Sequence, residues 1–254
     1  VDAASISTSR GEFMFVSDIS TNKIYKFSPD GNLLASFGGT GLGKNELNQP
    51  VSIDATSGLD VFVCDYLNNR LIRLDTKLNL ISEFDFNVYN QTVGNTKRIF
   101  NPHSISYINT GDMFVLSDAG NNKVIRLKDF NDVNLYFGQA FDKVFEPVKI
   151  VKGNSLDVWL LEKSTGELVN FNNLGIFVKR LSLPESLKPI SIAYVEDFLV
   201  ILYSGGVFNY DLKNGKFSKS YIFPDTYKIK DISMLDKETL MVLLKNKVFV
   251  FKLK

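Results

Sequence analysis

The carboxylates Asp18, Asp65, Asp118 and Glu162 recur at equivalent points of the chain, each after a short apolar run and four residues ahead of Asn22, Asn69, Asn122 or Gly166. Carboxylates gathered on one face could exchange protons with a substrate or offer oxygen ligands to a calcium-like cation. A carboxylate that obeys a repeat also suits a structural duty, because an Asp ahead of a turn accepts backbone N–H bonds and holds that turn. A catalytic group is expected to break a repeat instead. The column is therefore read as structural turn carboxylates, and the departures from the repeat become the functional candidates.

His103 is the first departure, standing where sister segments have Ala4, Val51, Val148 and Ile190. An imidazole there could serve as a base or a ligand. It is the single histidine and Cys64 the single cysteine, so neither a three-histidine nor a Cys/His zinc site can be assembled, and no disulfide can form within the chain. His103 is expected to pack with one hydrogen bond. The adjoining slot reads Ser5, Ser52, Ser104, Lys149, Ser191 and Asp231. Lys149 and Asp231 are expected to form an ion pair near a central axis, either purely structural or lining a polar ligand site. Cys64 replaces Ser17 and Ser117 and reads as a small packed residue, not a nucleophile. Basic residues recur as Lys23, Arg70, Lys123 and Lys247, and again as Lys26, Arg73 and Arg126. Such a stripe could grip RNA, but 29 basic against 28 acidic residues leave a net charge of +1, which favours a solvated rim. No glycine-rich phosphate loop, Gly-x-Ser-x-Gly elbow or EF-hand spacing occurs. Asn90-Gln91-Thr92 is a formal glycosylation acceptor. No cofactor or metal is expected, and these residues leave room for a small ligand in a central channel.

The elements that must position these groups follow from one repeat. Asn22-Lys23-Ile24-Tyr25-Lys26-Phe27, Asn69-Arg70-Leu71-Ile72-Arg73-Leu74 and Asn122-Lys123-Val124-Ile125-Arg126-Leu127 are copies, with fainter ones starting at Gly166, Gly205 and Asn246. A second column reads Pro50-Val51-Ser52-Ile53, Pro102-His103-Ser104-Ile105, Pro147-Val148-Lys149-Ile150 and Pro189-Ile190-Ser191-Ile192, with Ala3-Ala4-Ser5-Ile6 and Ile229-Lys230-Asp231-Ile232 completing it. Proline suits the first residue of a strand. Six units of about 42 residues, each with four β-rich runs between turns, match the four-stranded blade of a propeller. The expected fold is all-β: a six-bladed β-propeller of four-stranded antiparallel blades in one domain, with units near 1–38, 49–85, 101–138, 146–182, 187–223 and 227–254. The last unit runs out after its third strand, so its blade is expected to be incomplete or closed by the N-terminus.

Val63-Cys64-Asp65 with Asn68-Asn69-Arg70-Leu71, Ser117-Asp118 with Asn121-Asn122-Lys123-Val124, and Phe37-Gly38-Gly39 leading to Leu47-Asn48-Gln49-Pro50 resemble the NHL-repeat β-propellers. The resemblance covers the first three units, to about residue 138. It implies a closed six-bladed disc, and the family includes protein scaffolds, RNA readers, sensors and a metal-dependent lyase.

Extra length collects in three links between units, 38–49, 85–101 and 138–146, which share a face with the turns after Asp18, Asp65 and Asp118. Loops on a rigid scaffold are where recognition usually resides. Tyr89, Lys97, Arg98 and Phe100 are the aromatic and basic anchors expected to meet a protein partner. The first functional reading is accordingly a non-enzymatic protein–protein interaction scaffold, an accessory subunit of a larger assembly. The alternative is a metal-dependent, calcium-type lactonase or lyase-like propeller enzyme, and the third reading an RNA-binding propeller. The longest apolar stretches are strand-length, too short to span a bilayer. The opening Val1-Asp2-Ala3-Ala4-Ser5 suits the start left by signal-peptide removal, so an extracytoplasmic, bacterial location is expected.

Overall fold

The computed structural model describes residues 1–109, 112–117, 123–137, 144–153, 157–184, 188–224 and 227–253. Among the described residues five sheets have four strands and one has three, each in simple sequence order. Blade one is β1 (Ala3–Ser9), β2 (Phe13–Asp18), β3 (Lys23–Phe27) and β4 (Leu33–Gly38), and blade two β5 (Pro50–Asp54), β6 (Asp60–Asp65), β7 (Arg70–Asp75) and β8 (Leu80–Asp85). Blade three is β9 (Pro102–Asn109), β10 (Asp112–Ser117), β11 (Lys123–Lys128) and β12 (Asp132–Phe137), and blade four β13 (Pro147–Lys152), β14 (Val158–Glu162), β15 (Glu167–Phe171) and β16 (Phe177–Ser182). Blade five is β17 (Pro189–Val195), β18 (Phe198–Tyr203), β19 (Gly206–Asp211) and β20 (Lys216–Ile222). Blade six has, among the described residues, β21 (Ile229–Asp236), β22 (Thr239–Leu244) and β23 (Val248–Lys252). The inner strands β1, β5, β9, β13, β17 and β21 contact one another in that cyclic order, closing a six-bladed β-propeller around a channel.

The Asn of the repeat has a backbone cause. Asn22 and Asn69 sit at φ +53° and +55°, and Gly166 at +66° in the same place. This left-handed conformation is tolerated by asparagine and glycine far better than by other residues. The same side chains then tie one blade to the next: Asn22 Oδ1 accepts the Gln49 N–H and Asn69 Oδ1 the Asn101 N–H, both at 2.8 Å.

The core lies between blades. Phe15 and Ile24 of blade one pack on Ile53, Val63 and Ile72 of blade two, and comparable apolar layers fill the next interfaces. The closing seam joins Ala3, Ile6, Met14 and Val16 to Met241 and Leu243, and the Ala3 N–H donates to the Lys245 carbonyl at 2.9 Å.

The link 85–101 is not the irregular loop expected of it. It folds into α1 (Phe86–Thr92), seven residues and so just under two turns, and a 3-10 turn over Asn95–Lys97. Asp85 caps α1 by accepting the Asn87 N–H, while Phe86 and Ile99 are fully buried against blades two and three. Asn90 is buried as well, accepting the Ile99 N–H and donating to the Ile99 carbonyl. The formal glycosylation acceptor is thus spent inside the fold. Among the described residues no helix is long and apolar enough to cross a membrane.

Candidate functional site

The turn carboxylates are consumed by the blades. Asp18 accepts from the N–H groups of Asp2 and Ser20 and from the Ser20 hydroxyl at 2.8–2.9 Å. Burial opposes its charge, but these bonds outweigh burial and hold the carboxyl below its ordinary value. Asp65 accepts from the Asn48 N–H, the Asn68 amide and Arg70 Nε at 2.7–2.8 Å. Glu162 accepts from the Glu146 N–H at 2.7 Å and the Ser164 hydroxyl at 2.9 Å. In each case the carboxylate joins its own turn to the segment entering the blade. Asp118 lies outside the described residues.

His103 Nε2 donates to the Pro147 carbonyl at 2.9 Å, tying blade three to blade four near the starts of their inner strands. Lys149 Nζ meets Asp231 Oδ2 at 2.8 Å. The same oxygen accepts the Ser5 hydroxyl at 2.8 Å and the Ile6 N–H at 3.1 Å, while Oδ1 takes the Ser191 hydroxyl at 2.5 Å and the Ile232 N–H at 2.9 Å. Asp231 is therefore a clasp among four inner strands. It extends a rule set by its serine counterparts: Ser52 Oγ accepts the Ile105 N–H and Ser104 Oγ the Ile150 N–H, each capping the next blade.

Two residues further along, the column reads Ser7, Asp54, Ser106, Val151, Ala193 and Ser233. Asp54 is its single carboxylate, a departure that the sequence contained and that the shorter Pro-x-Ser-Ile column stopped short of. Its carboxyl accepts the Tyr107 N–H at 2.7 Å, the Thr56 N–H at 2.7 Å and the Thr56 hydroxyl at 2.6 Å. Burial raises its pKa above the ordinary carboxylate value, against the pull of these bonds and of the Lys149 charge. A carboxyl so perturbed on the wall of a cavity is a candidate for proton transfer.

That cavity, about 280 Å³, is lined by Asp54, Tyr107, Lys149, Lys152 and Tyr194, with Arg10 at its exposed rim. It lies toward the far ends of the inner strands, away from the face where the long links enter. The Tyr194 phenol is pushed up to about 12, by burial first and then by the charges of Asp197, Asp157 and Glu196. It keeps its proton at neutral pH and can donate. Lys152 Nζ donates to the Ile108 carbonyl at 2.6 Å. Tyr107 and Tyr194, like Asp54, were not marked by the sequence motifs.

The expected partner anchors lie elsewhere. Lys97 and Arg98 are exposed, Phe100 is 40% exposed, and Tyr89 is half-buried with its ring 6.1 Å from that of Phe84. The basic stripe largely pairs within its own blades: Arg70 with Asp65 and Glu83, Arg73 with Asp60, Arg126 with Asp112, while Lys26 covers the Phe13 ring at 3.5 Å. Cys64 is fully buried, and burial drives its thiol far above the ordinary thiol value. It should resist maleimide in the native protein and react fully in denaturant; native-state labelling would mean that blade two opens.

No protein-family model and no curated protein sequence matches the chain. Solved structures do. A streptogramin B lyase aligns with TM-score 0.71 and 14% identity over 100% of this chain and 83% of that one. Virginiamycin B lyase from Staphylococcus aureus, in a catalytically inactive histidine-to-alanine form with quinupristin, aligns with TM-score 0.70 and 17% identity over 99% and 80%. Kuenenia stuttgartiensis hydrazine synthase aligns with TM-score 0.70 and 12% identity over 99% and 76%. At these identities the likeness is one of fold, the six-bladed β-propeller. It corrects the expectation of a non-enzymatic scaffold: similar propellers bear the names of enzymes, and two of the three are lyases.

Proposed function

We propose that this chain is a lyase- or lactonase-type propeller enzyme, built on NHL-like repeats, that acts on a small carbonyl compound held in the channel. The observation that carries the reading is Asp54: one buried carboxyl with a raised pKa, on the wall of a cavity that also holds Lys149 and Tyr194. In the proposed elimination Asp54 takes a proton from the carbon beside the carbonyl. The Lys149 ammonium and the Tyr194 phenol stabilise charge developing on the carbonyl oxygen. A double bond forms as the leaving group departs with the electron pair of its bond to carbon, and the proton on Asp54 passes to that group or to water. The three cations at the cavity, Arg10, Lys149 and Lys152, suit a substrate or leaving group with anionic character.

Among the described residues the calcium-type form of this chemistry finds no ligand group. Among the described residues no three His, Cys, Asp or Glu side chains are grouped to hold a metal ion. Every step of the proposed elimination is therefore assigned to the chain's own side chains.

The cavity lies just below the usual range for small-molecule pockets, which sets the test. Purified protein is incubated with a panel of small lactones and β-acyloxy esters, and products are followed by mass and by the absorbance of a new conjugated carbonyl. Conversion of at least one member above the no-enzyme background is expected. No conversion of any member at stoichiometric protein would overturn the reading.

A further inference from the structure

Arg10 stands in a turn that suits a different residue. The Glu12 N–H donates to the Ser9 carbonyl, and the two central residues, Arg10 and Gly11, have φ +42° and +79°. This is the pattern of a type I′ hairpin turn, whose first central position favours asparagine, aspartate or glycine. An arginine held in a left-handed conformation beside a cavity points to a use for its side chain. Blade two makes room for that side chain: a Cβ on Gly58 would lie 2.6 Å from Arg10 Cδ and 2.7 Å from Arg10 Nε. The stem of Arg10 therefore crosses from blade one onto the blade-two turn, and its guanidinium is set at the exposed rim of the channel cavity.

The three cations of the cavity are differently committed. Lys149 is paired with Asp231, and Lys152 donates to the Ile108 carbonyl. Arg10 makes no hydrogen bond or ion pair among the described residues, so its planar fork is open to a ligand. A fork of that geometry takes a carboxylate in two parallel bonds. The acids whose charges act on Tyr194, namely Asp157, Glu196 and Asp197, belong to blades four and five, across the ring from the Arg10 stem on blades one and two. A ligand anion is thus repelled from that side and drawn to Arg10.

We propose that Arg10 is the specificity-determining residue of the channel and binds a carboxylate carried by the substrate. The ligand class is then a small carbonyl acid, lying with its carboxylate at the rim and its carbonyl toward Tyr194 and Lys149. This deepens the enzyme reading and rests on it for the carbonyl end, whereas the carboxylate contact needs no turnover.

The probes are levulinate, a linear keto acid, and its uncharged methyl ester, each titrated into isotope-labelled protein and followed by NMR. Saturable levulinate binding that shifts the Arg10 Nε–H signal is expected, with the ester at least about tenfold weaker. Arg10→Asn should weaken levulinate binding at least about tenfold, leave the ester unchanged, and melt at or above the wild-type temperature because asparagine suits the turn. Arg10→Lys, which keeps the charge and loses the fork, should fall between the two and carries the test if Arg10→Asn fails to fold. No saturable levulinate binding, or equal binding by the wild type and the variants, would overturn the proposal. So would preference for inorganic phosphate over levulinate at Arg10, or a melting temperature of Arg10→Asn well below that of the wild type, which would assign Arg10 to the fold. Levulinate binding that depends on Arg10, without conversion of any lactone or ester, would support the carboxylate site and overturn the enzyme reading alone.

Discussion

Replacing Asp65 with alanine is expected to lower the unfolding free energy by about 3–5 kcal/mol, the range for removing one partner of a buried ion pair. Asp65 is fully buried and the Arg70 side chain is 8% exposed. Without the carboxylate, Arg70 keeps Glu83 and the carbonyls of Gly43 and Glu46, but its Nε is left facing a cavity, the Asn48 N–H loses its acceptor, and the Asn68 amide keeps only the Gly41 carbonyl. The link 38–49 would then be untied from the turn it crosses. Asp65→Asn should cost less, because an amide oxygen can still accept the Asn48 N–H. Lys163→Ala provides the contrast: its pair with Glu146 is 59% and 50% exposed and should cost well under about 1 kcal/mol. Urea unfolding of the three variants checks the order. Equal effects of Asp65→Ala and Lys163→Ala would show that the buried clasp contributes nothing special.

Most of the fold is legible because its repeat has local causes. Asn22 and Asn69 mark turns that need a left-handed φ, and Asp18 and Asp65 mark the N–H groups those turns must satisfy. Blade four keeps these markers only as Glu162 and Gly166, and blades five and six lose them, yet β-rich runs at blade spacing are enough to place their strands, since packing between blades asks only for apolar residues on both faces of each sheet. The link 85–101 was harder. Its helix is too short to show a periodic apolar stripe, and what holds it is a cap at Asp85 and two anchors, Phe86 and Ile99, thirteen residues apart.

The candidate site was the least legible part, for a geometric reason. A propeller channel gathers one or two residues from each of six strands separated by about 40 positions, so no contiguous motif exists to be read. Lys149 and Asp231 were found because they break a column of serines. Asp54 breaks the next column, where serine, valine and alanine already vary, and its meaning depends on burial and on Lys149 nearby. An inventory of motifs came out empty and pointed to a scaffold; the proposed site rests instead on one carboxyl and its neighbours.

Asp54→Asn carries the other large expected effect. Removing a positioned proton-transfer group typically costs a factor of about 10²–10⁴ in rate. Its effect on stability should be smaller and should depend on pH. Because burial raises the folded-state pKa of Asp54 above its unfolded value of 3.8, the native state holds the proton more tightly in the window between the two values. The stability that Asp54 contributes is full below that unfolded value and is lost as pH rises through the raised one. The amide of the variant does not titrate, so the wild type should lose stability relative to the variant as pH rises across that window. The rate has the opposite slope: wild-type kcat/KM should climb as Asp54 gives up its proton, and the variant should lack this limb.

The most direct measurement is therefore kcat/KM against pH for the wild type and Asp54→Asn on the ester that the wild type converts. A loss of two to four orders of magnitude, with the acid limb gone and cooperative melting retained, is the result expected of a channel enzyme that works through Asp54. Retention of most of the wild-type rate with the same acid limb would contradict it and place the chemistry elsewhere on the propeller.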